Sequence, residues 1–275
     1  MPQYRVPTGA RSTLQNAGEF VIGLVVTAGR GVVLFGQALR QFRYLHRNLD
    51  KFLSQMFIAG VVALPVVTIT ALFTGFVLAA QTGSALKVYG VANLALGPIV
   101  GASMTREMGP VLTAICVAGF VGGGMASLIG TMRVNEEIDA LEVMSVNPVR
   151  FLVMPRLAAM MVVMPLLTIY ADYVGIYGGA FVSFAQVGVP YKDYFDMLEW
   201  GLALRDIVFG LVKAWTFGVI ITMVSCQEGY HTSGGAEGVG RATMRAVVYS
   251  FLLILIANYL LFSLVYLTIF TKVWN

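Results

Sequence analysis

The chain has 275 residues, of which 58% are hydrophobic and only 12% charged, with a formal charge of +4 and a mean hydropathy of +0.80. No soluble domain of this size has that balance, and so small an excess of positive charge on so apolar a chain is not a nucleic-acid footprint. Cys116 and Cys226 stand in separate apolar stretches, and His46 and His231 lack an H-E-x-x-H setting, so no disulfide framework, metal site or cofactor is expected.

The first 19 residues are polar, without a signal-peptide pattern. Residues 20–39 are apolar but broken by Gly29-Arg30-Gly31, and Arg40, Arg43, Arg47 and Lys51 follow. This predicts a helix lying in the inner interface against anionic lipid, with a basic linker to residue 56. The alternative is a span whose Arg30 snorkels. Five spans are predicted next, over residues 57–80, 98–130, 157–185, 207–227 and 246–270, each long enough to cross a bilayer. The expected fold is all-α: an N-terminal interfacial helix, then a five-span membrane domain over 57–275.

Lys and Arg set the direction. Twelve fall in the first 56 residues and the 131–156 and 228–245 loops, against four (Lys87, Lys192, Arg205, Lys272) on the other side. The N-terminus is therefore expected in the cytoplasm and Asn275 outside. The outer loop 186–206, with Tyr191, Tyr194, Phe195 and Trp200, is expected at the interface, where Trp274 would anchor the last span.

The second span carries two small-residue ladders: Ala118, Gly122, Ala126 and Gly130, and beside it Gly119, Gly123 and Ser127. Such faces let helix backbones approach. They serve either as intramolecular packing or as a seam that opens during transport, and spacing does not separate the two.

Intramembrane charges are costly and call for partners. Glu107 lies roughly 13 Å into the inward-running second span and Lys213 roughly 9 Å into the inward-running fourth, at 1.5 Å per residue. Their depths predict an ion pair in the outer half of the membrane, with Arg106 facing a polar cavity. Asp172 lies nearer mid-membrane, and the sequence assigns it no partner.

Residues 131–150 are the most informative stretch. Asn135 is expected to N-cap a short helix over 135–144, with Glu136, Glu137 and Asp139 in its first turn and Glu142 beyond. Ile138, Leu141 and Met144 make a narrow apolar stripe, and Asn147-Pro148 is expected to stop the helix. Four carboxylates argue against a helix lying on headgroups, which is usually basic. They predict a cytoplasmic surface gripped by a soluble partner. No P-loop of the G-x-x-x-x-G-K-S/T type, no Ser/His/Asp arrangement and no G-x-S-x-G elbow is present. A membrane protein with a docking helix and no engine of its own takes its engine from another chain.

The chain resembles the MlaE/YrbE-type permeases of ABC lipid transporters that work with MCE proteins. The resemblance is carried by Arg106-Glu107-Met108-Gly109-Pro110-Val111, by Gly130-Thr131-Met132-Arg133 running through Glu136–Met144 to Asn147-Pro148, and by Pro155-Arg156. Gly175-Ile176-Tyr177-Gly178-Gly179, Asp206-Ile207 with Lys213, Gly229-Tyr230 and the run Gly240–Val248 extend it, and Gly29-Arg30 with Leu34-Phe35 fits near the start. It covers roughly residues 29–270. It implies a homodimer of five-span subunits with two ABC ATPase subunits below, MCE-domain proteins on the outer side, and room for a small cytoplasmic regulatory subunit. It also implies a lipid cavity between the permeases, with Arg106 a candidate for the headgroup phosphate. The helix 135–144 becomes the coupling helix that transmits ATPase motion, and the address a bacterial inner membrane.

One departure stands out. The family commonly carries an Arg in a Gly-Arg-x-Gly-Ser motif and a Glu eight residues later; here those places hold Phe120 and Leu128. The expected function is transport of a phospholipid or similar lipid without bond chemistry in this chain. The rivals are an ATP-independent carrier and a membrane anchor that recruits soluble proteins through the acidic helix.

Overall fold

The computed structural model describes residues 10–47 and 49–273, and these are helical nearly throughout. Helix α1 is Ala10–Gln41, and α2 is Leu49–Val88. A continuous helical stretch, α3, runs over Ala92–Val134, α4 is the short Glu137–Val143, and α5 runs over Val149–Val187. The outer helix α6 is Tyr191–Gly201, α7 is Leu204–Tyr230, and α8 is Gly235–Val273. Five of them (α2, α3, α5, α7 and α8) are long and apolar enough to cross a membrane. The chain is an all-α, multi-pass membrane protein.

Each of these helices overruns its expected span, because hydropathy registers the lipid-facing stretch and not the polar turns that continue the hydrogen-bond ladder beyond it. The largest packing surface joins α2 to α5. It is built on a stripe not foreseen from the sequence: Ala59, Ala63, Val67, Ala71, Gly75, Ala79 and Gly83, buried at every fourth position of α2. Small residues at this spacing let two backbones touch. A Cβ on Gly75 would lie 2.0 Å from the Gly175 carbonyl oxygen, so only glycine fits there.

The interior is layered along the membrane normal into three apolar clusters. The middle one joins Ala63, Val67, Ala114, Met160, Met164, Phe217 and Ile221. The outer one is closed by α6, whose Tyr194 is fully buried and donates from Oη to the Ile176 carbonyl at 3.3 Å. Burial pushes that phenol's pKa above its ordinary value. The outer segment expected as an aromatic interfacial loop is therefore a packed helical cap: a Cβ on Gly97 of α3 would lie 2.2 Å from the Tyr194 carbonyl oxygen. The third cluster, at the opposite end, holds Ala38, Ile129, Ile138, Leu152, Leu157, Met223 and Cys226.

Helix α1 passes unbroken through Gly29-Arg30-Gly31 and crosses the ends of its neighbours in turn. It approaches α8 where a Cβ on Gly23 would lie 2.8 Å from Tyr249 Oη, meets α7 where one on Gly31 would lie 3.6 Å from Met223 Cβ, and reaches the start of α5 around Ala38. Trp274 lies outside the described residues.

Candidate functional site

The half of the helical bundle nearest α6 holds a polar network built on a local defect of α3. Residues Met104–Met108 form a π-helical turn just before Pro110. Proline carries no N–H, so the Arg106 carbonyl has no α-helical donor four residues on. Lys213 of α7 supplies one: its Nζ donates to the Arg106 carbonyl at 3.1 Å and to Glu107 Oε1 at 2.5 Å. The Lys213 side chain is fully buried, and its ammonium lies 4.7 Å from the Phe209 ring centroid. The second carboxylate oxygen of Glu107 accepts from Asn258 Nδ2 of α8 at 3.0 Å. One carboxylate thus links three of the long helices, and the expected Glu107–Lys213 ion pair is formed.

Arg106, expected to face a polar cavity, has a partner that spacing does not reveal. Its Nη2 donates to Asp206 Oδ2 at 2.9 Å, and the same oxygen accepts from the Ala203 N–H at 3.2 Å. Asp206 therefore caps α7 and holds Arg106 together, while about half of the Arg106 side chain stays exposed. The signal available in the sequence was an acidic residue in the first turn of a helix.

Asp172 is buried on α5 against Gly109 of α3, where a Cβ would lie 1.7 Å from its Oδ1. That oxygen has no hydrogen-bond partner, nor do the buried hydroxyls of Thr113 and Thr168. Each of these threonines lies one turn inward of the Gly109–Asp172 contact on its own helix, so the unpaired atoms follow one seam.

The two small ladders of the second span separate onto different neighbours. Gly122, Ala126 and Gly130 are buried toward α7 and the turn after it: a Cβ on Gly122 would meet Ile221 and Ser225 at 3.0 Å, and one on Gly130 would meet Thr232 Oγ1 at 2.9 Å. Ala118 is likewise buried. Gly123 faces Val247 and Thr243 of α8, Ser127 is half-buried, and a Cβ on Gly119 would meet no atom within 4 Å. The contacts seen are intramolecular packing. Phe120 and Leu128 are both exposed, about 12 Å apart along the axis, a separation longer than one salt bridge.

At the end of the bundle opposite α6, α4 is shorter than expected and capped differently. The ladder of α3 continues to Val134, and the Asn135 N–H donates to the Thr131 carbonyl at 3.0 Å, so Asn135 closes α3 instead of opening α4. The chain turns through Glu136 in a left-handed conformation (φ 60°), and no side chain caps the start of α4. Ser145, also left-handed (φ 59°), follows its end. Asn147-Pro148 begins the next helix instead of stopping this one: Asn147 Oδ1 accepts from the Val149 N–H at 3.0 Å. Of the expected stripe, Ile138 is fully buried, Leu141 is half-buried and Met144 is exposed. Glu136, Glu137, Asp139 and Glu142 face outward. Asp139 pairs with Arg133, and Asn135 Nδ2 donates to Glu137 Oε1 at 3.3 Å. One buried side chain thus holds a mostly solvent-facing acidic helix.

A third linkage was missed from the sequence. The buried Glu228 at the end of α7 accepts from Thr27 Oγ1 of α1 at 2.8 Å and from Arg245 Nε of α8 at 2.8 Å. Among the described residues no group of His, Cys, Asp and Glu could hold a metal ion.

Comparison with known proteins agrees with this architecture. The family model described as permease MlaE matches residues 52–264. A probable ABC transporter permease protein of Rickettsia typhi is 41% identical over 218 residues, covering 79% of this chain and 84% of the relative. A probable ABC transporter permease protein of Synechocystis is 37% identical over 228 residues, 83% of this chain and 86% of the relative. The intermembrane phospholipid transport system permease protein MlaE of Haemophilus influenzae is 33% identical over 251 residues, 90% of this chain and 95% of the relative. With its five long apolar helices and a match over most of its length, the chain belongs to the MlaE permease family.

Proposed function

We propose that this chain is the membrane subunit of an ABC transporter that moves a phospholipid or similar amphipathic lipid, powered by a separate ATPase chain. The single observation that carries this reading is the family match over residues 52–264, with relatives named as a probable ABC transporter permease and as an intermembrane phospholipid transport system permease matching most of the chain. The geometry supports it. Glu107, Lys213 and Asn258 tie α3, α7 and α8 together in the outer half, and the half-exposed Arg106 has donors left for a phosphate. The exposed acidic face of α4 fits a basic groove on a soluble ATPase, and Ile138 and Leu141 carry motion from it into the cytoplasmic core cluster. We assign the N-terminus and α4 to the cytoplasm from the distribution of Lys and Arg. In this reading α1 lies in the inner interface, two copies form the transporter in a bacterial inner membrane, and an MCE-domain protein receives or delivers lipid outside.

The test is purification of the tagged chain from its own cells in mild detergent, wild type beside Glu142→Lys, with mass spectrometry of bound proteins and lipids. The expected result is an ATPase and phospholipid with the wild type, and loss of the ATPase alone in the variant. Lipid without an ATPase in either sample would favour an autonomous carrier; neither would favour an anchor.

A further inference from the structure

We propose that the cleft between the start of α2 and the start of α5 binds the phosphodiester headgroup of a phospholipid from the cytoplasmic leaflet. This deepens, and rests on, the lipid-transport reading above. Arg156 carries the argument. Its side chain is only 5% exposed. A guanidinium has five N–H donors, and Arg156 makes one hydrogen bond, from Nη1 to the Leu152 carbonyl at 2.6 Å. Its Nε is buried without a partner. Among the described residues no carboxylate lies within ion-pair distance of it. A buried cation lacking a counter-ion is costly.

The same side chain lines a cleft of about 280 Å³ with Lys51, Ser54, Gln55 and Asp50. Lys51, Ser54 and Gln55 are spaced to share one face of α2. Lys51 stands over the Phe151 ring, its ammonium 2.8 Å from the centroid, and among the described residues it makes no ion pair. Two cations, a hydroxyl and an amide thus converge from two helices on a space with an apolar floor at Leu152 and Pro155. A guanidinium fork beside an ammonium is the chemistry that holds phosphate oxygens. Two features favour a lipid over free phosphate. Asp50 at the rim suits the ammonium of a zwitterionic headgroup and repels a doubly charged ion. Further along the same face, Ile58 and Val62 are exposed and apolar, which gives acyl chains a path along α2.

The test is photo-cross-linking of the full chain in cells labelled with radioactive phosphate, with benzoylphenylalanine in place of Gln55. A second probe in place of the exposed Phe73 reports bulk lipid. Phospholipid labelling at the Gln55 probe is expected to fall roughly tenfold in Lys51→Ala and in Arg156→Lys, as when one charge-assisted hydrogen bond is lost. Labelling at the Phe73 probe should not change. Lys51 is half-buried at a helix start, so its variant tests the site without threatening the fold. Equal labelling at the Gln55 probe in all variants, or none there while the Phe73 probe is labelled, overturns the site and leaves the transport reading standing. Loss of the label on adding millimolar inorganic phosphate to isolated membranes overturns the lipid as the ligand. Failure of the transport reading itself shows separately, as wild-type protein that purifies without phospholipid.

Discussion

The outer charge network and the helix α4 are both rich in carboxylates, and they handle them in opposite ways. In the network Glu107 spends both oxygens on neighbours from two other helices, and Lys213 is sealed from solvent. On α4 the carboxylates face outward, and one apolar side chain, Ile138, does the anchoring. The difference separates two uses of charge. Buried and fully partnered, it fixes which helices meet, because an unpaired charge inside the membrane domain is intolerable. Exposed, and held at most by surface contacts such as Asp139 with Arg133, it contributes little to stability and stays within reach of a partner.

That contrast can be broken at several points. The largest effect is expected for Lys213→Ala, which strands Glu107: about 3–5 kcal/mol lost in unfolding measured in mild detergent, with part of it restored by adding Glu107→Gln. A loss below about 1 kcal/mol would mean that the pair behaves like a surface one. Ile138→Ala should cost about 2–4 kcal/mol of local stability, seen as faster amide exchange across α4 and the turn after it. Gly109→Ala should cost about 1–3 kcal/mol by overpacking, and Asp172→Ala should rescue it, because the colliding atom is Asp172 Oδ1; no rescue would place the strain in the backbone. Thr27→Val should cost about 1 kcal/mol and raise proteolysis of α1. Glu142→Lys should shift stability by less than about 0.5 kcal/mol while abolishing recovery of the ATPase, the smallest structural effect with the clearest functional one.

Much of this was legible in the chain because a bilayer restricts what a sequence can do. Five long apolar stretches could only be spans, and two charges at matching depth on inward-running helices could only be partners or a large cost. The remainder depended on contacts distant in sequence or on backbone detail. Asp206 sits 100 residues from Arg106, and nothing local links them. The π-helical turn at Met104–Met108 follows from Pro110, but its release of the Arg106 carbonyl matters only because Lys213 reaches it. Asn135 has the chemistry of an N-cap and serves as the last residue of the preceding ladder, since α3 extends one turn past its apolar stretch. The packing role of α6 was hidden because its aromatic residues suit a headgroup region equally well. Asp172, without a partner in the sequence, has an unpaired oxygen in the structure too.

Glu228 has a mechanical consequence. Its carboxylate holds Thr27 of α1 with one oxygen and Arg245 of α8 with the other. In the proposed reading α1 lies in the interface and rides at the height that the local bilayer sets, whereas a spanning helix is fixed by its own length. One carboxylate therefore puts the two in series. In that reading a change in bilayer thickness loads the Thr27 bond first and the last span next. Membrane thickness becomes a force on α8, delivered at one residue.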